Sequence, residues 1–133
     1  MPLVVFSPQP ANTSGLPCSG AYYRPGRYEV AIDGQFHDGR FGILLVGTAW
    51  PDEIPSIIAH EWRHHWQLST GRMPYDGVGW NDPLAATDWD AWEAATRRYF
   101  RGSRCELDAL AFELQVAPSD VADLRMSLVR QRA

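Results

Sequence analysis

One pentapeptide constrains this chain more than any other stretch: His60-Glu61-Trp62-Arg63-His64. Two histidines four apart can serve one metal ion only on a helix. There the second side chain is rotated by only about 40° from the first and sits one turn along the same face. Zinc takes neutral imidazole nitrogen at about 2.1 Å, so both rings must converge on one point. Glu61 lies about 100° round from His60. From there it can take a proton from a metal-bound water, whose pKa zinc lowers to about 7, without crowding the ligands. A chain using the motif in this way must hold that helix against other structure, with the histidine face turned inward.

The flanking sequence supports a helix. Asp52 can cap, Pro55 fits the first turn and Gly71 fits just past the end, which predicts a helix over about 54–68. Ile54, Ile57, Ile58, Trp62, Trp66 and Leu68 lie within it, and burial of Ile57, Ile58 and Trp62 is expected to anchor it. Upstream, 3–6 reads as a short strand, followed by an irregular segment to about residue 20 that is rich in Pro, Ser, Gly, Asn and Thr. Residues 21–24 and 27–32 read as strands that Pro25-Gly26 would pair, with further turn signals at Asp33-Gly34 and Asp38-Gly39. The run 41–46 (FGILLV) suits a buried strand. Downstream, 71–86 reads as a long loop over the cleft. Thr87-Asp88-Trp89-Asp90 starts a helix to about Phe100, Ser103 caps another through about Val116, and a last helix spans 120–131. The expected architecture is one α+β domain over 1–133: a small, mainly antiparallel sheet on the motif helix, with two or three helices after it.

Catalytic zinc usually has three protein ligands. Outside the 60–65 cluster the sequence has one further histidine, His37, which lies upstream beside an Asp-Gly turn. Position 67 is Gln and position 70 is Thr, so no third histidine follows at the extended spacing. A carboxylate is therefore expected. Glu106 is the first candidate, beside small Ala109 and Ala111 that admit a neighbouring helix. Asp108 and Glu113 stand in reserve. Ser103-Arg104-Cys105-Glu106 also reads as a capping box, in which Glu106 would serve only its own helix. Gln67, one turn past His64, is placed to hydrogen-bond behind a ligand. Tyr99 and Tyr75 are candidate donors to a reacting oxygen. Cys18 is a candidate inhibitory thiolate, weighed against an ordinary free cysteine.

The formal charge of −4 leaves no basic stripe of the kind nucleic-acid binders carry, and no polybasic membrane patch. The local cluster Arg97, Arg98, Arg101 and Arg104 reads as a solvated helix end. Two cysteines, Cys18 and Cys105, do not make a disulfide framework. With no signal-peptide pattern and no stretch of about 20 apolar residues, the chain reads as a cytoplasmic-type protein with free thiols.

His60 to His64 together with Glu106-Leu107-Asp108-Ala109 resembles the glutamate-liganded zincins, or gluzincins, in their minimal form. The small SprT-like and ImmA/IrrE-like proteins of phages and bacteria share this layout. The resemblance spans roughly residues 21–116. It implies a zinc metallopeptidase with one zinc on His60, His64 and Glu106, Glu61 as general base, and a protein or peptide substrate aligned on a sheet edge. The 65–105 connection is longer than that pattern, and the extra zinc-binding cysteines of many SprT-like proteins are missing. Two other readings remain: a non-catalytic zinc-stabilised domain that binds protein or nucleic acid, and a hydrolase of a cell-wall amide.

Overall fold

The computed structural model describes residues 1–12, 15, 17–73 and 86–131. Five strands come first: β1 (Leu3–Ser7), β2 (Gly20–Tyr23), β3 (Glu29–Ile32), β4 (Gln35–Asp38) and β5 (Ile43–Gly47). A single 3-10 turn (Pro51–Glu53) leads into α1 (Ile54–Thr70). Then follow α2 (Trp89–Arg101), α3 (Arg104–Val116) and α4 (Asp120–Arg130). The chain is α+β, with small, mostly antiparallel β-structure and four helices among the described residues.

β5 is the centre of a three-stranded sheet ordered β1-β5-β2, parallel to β1 and antiparallel to β2. All five of its residues are buried, as expected of an apolar run covered on both faces. Pro25-Gly26 does not pair β2 with β3. β3 turns back on β4 instead, through Asp33 (φ 52°) and Gly34 (φ 80°). Two consecutive positive φ values make a type I′ turn, whose twist matches that of paired strands, whereas a type II Pro-Gly turn splays them. β2 is left to pair with β5. The hairpin then packs on one face of the sheet, where Ile32 joins Val5, Tyr23, Ile43 and Leu45 in an apolar cluster.

α1 covers the other face and also packs along α3. It starts with Pro55 in its first turn and stops at Gly71, whose φ of 64° is the left-handed cap that glycine tolerates. Asp52 makes no cap, since the 3-10 turn already carries the chain into the helix. α2, α3 and α4 begin on Asp88, Ser103 and Ser119, each accepting a backbone N–H two or three residues into the first turn. The cap of α2 is thus Asp88, one residue after the Thr87 that begins the box. Phe100, Leu110, Ala122 and Met126 form a second apolar cluster among these three helices. Arg97 and Arg101 are not merely solvated. Their guanidinium groups donate to the carbonyls of Leu128 and Val129 at 2.7–3.0 Å, where the end of α4 leaves acceptors unsatisfied. No described helix is long and apolar enough to cross a membrane.

The burial of α1 overturns one expectation. Its buried residues are Ser56, Ala59, Glu61, His64 and Gln67, while Trp62 is 36% exposed and Ile57 and Ile58 are only partly covered. The inward face of α1 is polar because it faces polar groups of α3. Its apolar residues lie on the flanks, where Trp62 lies beside His65. Phe100, at 2% exposure, is the aromatic that a core depends on. Phe100→Ala is expected to cost about 3–5 kcal/mol in urea unfolding, and Trp62→Ala at least about 1 kcal/mol less. Equal losses would place Trp62 in the core after all.

Candidate metal centre

The seam between α1 and α3 holds the candidate site. His60 and His64 project from α1, and Glu106 meets them from the first turn of α3. Ser103 caps that turn, but the Glu106 side chain turns outward to the histidines. His60 Nε2 lies 3.0 Å from Glu106 Oε2, and His64 Nε2 lies 2.9 Å from Glu106 Oε1. The potential ligand atoms of the three residues all lie within 4.8 Å of one another.

The far side of each ring is tied back. His60 Nδ1 lies 2.8 Å from Glu113 Oε1, and the Glu113 carboxylate also accepts from the Ser56 hydroxyl. A carboxylate only accepts, so Nδ1 carries a proton, and Nε2, which faces the Glu106 carboxylate, carries the one that a bound metal would displace. His64 Nδ1 lies 2.9 Å from Gln67 Oε1. The Gln67 amide nitrogen donates to the Cys105 carbonyl at 2.8 Å and to Asp108 Oδ2 at 2.9 Å, which orients its oxygen toward His64. His64 therefore also holds a proton on Nδ1. Asp108 is held in turn by Arg63 at 2.7 Å, whose guanidinium lies over the rings of Trp66 and Phe112. Metal-binding histidines are oriented in this way, by an acceptor behind the ring.

Two Nε2 atoms and one carboxylate suit zinc, which needs three such ligands and one open position for catalysis. Ligands at about 2.1 Å from one tetrahedral ion lie about 3.4 Å apart. The two histidine–glutamate contacts are a few tenths of an ångström shorter than that. Asp108 and Glu113, the reserve ligands, are occupied behind the ligand group. That role for Glu113 was missed in the sequence reading. Its signal was spacing, since Glu113 follows Glu106 by seven residues on one helix face and Ser56 precedes His60 by four.

Charge on these groups follows from burial and pairing. Burial works to lower the His60 pKa, but the hydrogen bonds to Glu106 and Glu113 outweigh it and raise it to about 9. His64 is likewise raised well above its ordinary value against the pull of burial. The same contacts hold the Glu106 carboxyl far below its usual range, although burial opposes this. Glu61 is different. It is 7% exposed, burial raises its pKa, and its carboxylate makes no hydrogen bond among the described residues.

All four groups line a cleft of about 1100 Å³. β2 forms part of its wall, and no described strand pairs with the outer edge of β2. The Tyr22 hydroxyl of β2 and His65 Nδ1 are hydrogen-bonded at 2.9 Å, so His65 braces the strand against α1. Tyr99 of α2 reaches the cleft and hydrogen-bonds Glu106. Cys18 also lines it, and burial raises its pKa to about 11, which disfavours the thiolate. Both cysteines are free thiols. His37 lies apart, on β4 opposite Val30. Tyr75, Trp80 and nearly all of the 71–86 loop fall outside the described residues. Searches against family models, curated proteins and solved structures match nothing.

Two outcomes test this arrangement. Glu113→Ala is expected to weaken zinc binding about 10–100-fold by freeing the His60 ring, measured by competition with a chelator. Zinc uptake at pH 7 is also expected to release about one proton or more per ion. The reason is that His60, with its pKa near 9, is protonated in the metal-free protein below that pH. Affinity should rise with pH from below neutrality to at least about 9, as His60 and His64 give up their Nε2 protons. Calorimetry in buffers of different ionisation enthalpy reads the proton count. No proton release would mean that zinc binds elsewhere.

Proposed function

We propose that this chain is a zinc-dependent hydrolase of the minimal gluzincin kind, cleaving a peptide bond. One observation carries the reading. Both His60 and His64 are locked with Nδ1 protonated and Nε2 facing Glu106, next to a buried Glu61 that no described residue engages in a hydrogen bond. A structural zinc site needs ligands, but it does not need an adjacent unengaged carboxylate.

Bound zinc would supply a polarised carbonyl and a water of lowered pKa. The protein's own groups account for the rest. His60, His64 and Glu106 hold the ion without taking up or losing a proton during turnover, because their partners fix their charge. Glu61 accepts the water proton and passes it to the leaving amine. Its raised pKa suits that task, since a general base works best with a pKa near the working pH. The free edge of β2 supports a peptide over a non-peptide amide, because an extended chain can add to a strand edge through main-chain hydrogen bonds.

Glu61→Gln keeps size and shape but cannot accept a proton. It is expected to bind one zinc, fold normally and lose peptide hydrolysis by at least about 10²–10⁴-fold. His60→Ala is expected to lose zinc and activity together. Should Glu61→Gln leave the protein's hydrolytic or biological effect unchanged, the non-catalytic zinc domain replaces this reading. Cleavage of a cell-wall amide with no peptide cleaved would keep the chemistry and change the substrate.

A further inference from the structure

The side chains of His60, His64 and Glu106 are each held by hydrogen bonds, whereas Glu61 makes none with the described residues. The backbone of β2 at Gly20 runs beside the Glu61 side chain. A Cβ built on Gly20 would lie 2.5 Å from Ile57 Cγ2, 3.1 Å from the Leu45 carbonyl oxygen and 3.4 Å from Glu61 Cγ. Gly20 has no side chain at the one point where the strand crosses the Ile57–Glu61 step of α1. Ile57 cannot readily swing aside, because a β-branched side chain in a helix is confined to essentially one χ1 rotamer.

We propose that Gly20 is the positioning residue for Glu61: its bare backbone lets β2 close directly onto α1 and packs the Glu61 side chain into one orientation toward the ligand group. The inference rests on the hydrolytic reading for its consequence, but not for its geometry. Any side chain at position 20 lifts the strand from α1 or displaces Ile57, and either movement alters the wall that Glu61 lies against. The hydrogen bonds that hold His60, His64 and Glu106 lie on the opposite, α3 side and stay in place. The base is thus separable from the metal ligands.

Gly20→Ala tests this, with Ile57→Ala and the double variant as its partners. Two readouts are taken. One is the carboxyl carbon resonance of Glu61 in the metal-free protein, identified by its loss in Glu61→Gln. The other is peptide hydrolysis by the zinc-loaded protein. Gly20→Ala is expected to move the resonance and to lower kcat by about 10–100-fold, as a misplacement of about an ångström does, with KM and zinc stoichiometry little changed. Removing Cγ2 in Gly20→Ala/Ile57→Ala relieves the closest contact, so at least half of both changes should be regained relative to Ile57→Ala alone. An unmoved resonance in folded Gly20→Ala, or no recovery in the double variant, overturns the assignment. The same holds if neither Gly20→Ala nor the double variant folds. If the wild type hydrolyses nothing, the hydrolytic reading fails, and the resonance by itself decides the role of Gly20.

Discussion

The polar seam between α1 and α3 is the interaction on which the rest of this structure depends. Ionisable groups taken from water cost several kcal/mol each unless paired with good geometry. The seam buries His64, Gln67, Glu106 and Glu113 nearly completely, with Ser56 and most of His60. Each has partners: Glu113 joins Ser56 to His60, Glu106 spans both imidazoles, and Gln67 connects His64 to the backbone and Asp108. Such a network fails if one helix slides or rotates against the other. It therefore fixes the register of α1 on α3, with Ala109 fully buried between them.

A seam of this kind contributes little apolar burial, so the driving force for folding must come from its two sides. On one side the sheet and hairpin gather Val5, Tyr23, Ile32, Ile43 and Leu45. On the other, α2, α3 and α4 gather Phe100, Leu110, Ala122 and Met126. The two apolar clusters grip the polar layer between them. They also place its groups at the wall of a cleft and away from the centre of a core.

Within that layer the groups are held by two different means. His60, His64 and Glu106 are fixed by hydrogen bonds that set both direction and protonation. Glu61 lies beside β2, and no described residue hydrogen-bonds its oxygens. A carboxylate committed to a donor would have a lowered pKa and less capacity to accept a proton. Burial without a hydrogen bond has the opposite effect, and the strand edge that lines the cleft is also what encloses the base.

The sequence alone determined the local features. The spacing of His60 and His64, Pro55 at the start of α1, Gly71 at its end, and Ser103 and Ser119 at later starts are short-range signals. The helices they predict match the structure within about two residues, and β5 follows from a continuous apolar run. Glu106 stood out by elimination, since zinc chemistry asks for a third ligand and no third histidine follows the motif. Other features depended on tertiary structure. Asp33-Gly34 outcompeted Pro25-Gly26 only because strand twist, a property of paired strands, selects between them. Trp62 proved more exposed than its type suggests, since the inward face of α1 is chosen by what α3 presents. Gln67 behind His64 was legible from its spacing on α1, whereas Glu113 anchors His60 only because α3 packs along α1 and brings its carboxylate to the ring. The role of Gly20 required seeing β2 against Ile57 and Glu61, some forty residues away in the chain, where the absence of a single carbon decides how closely two elements can approach.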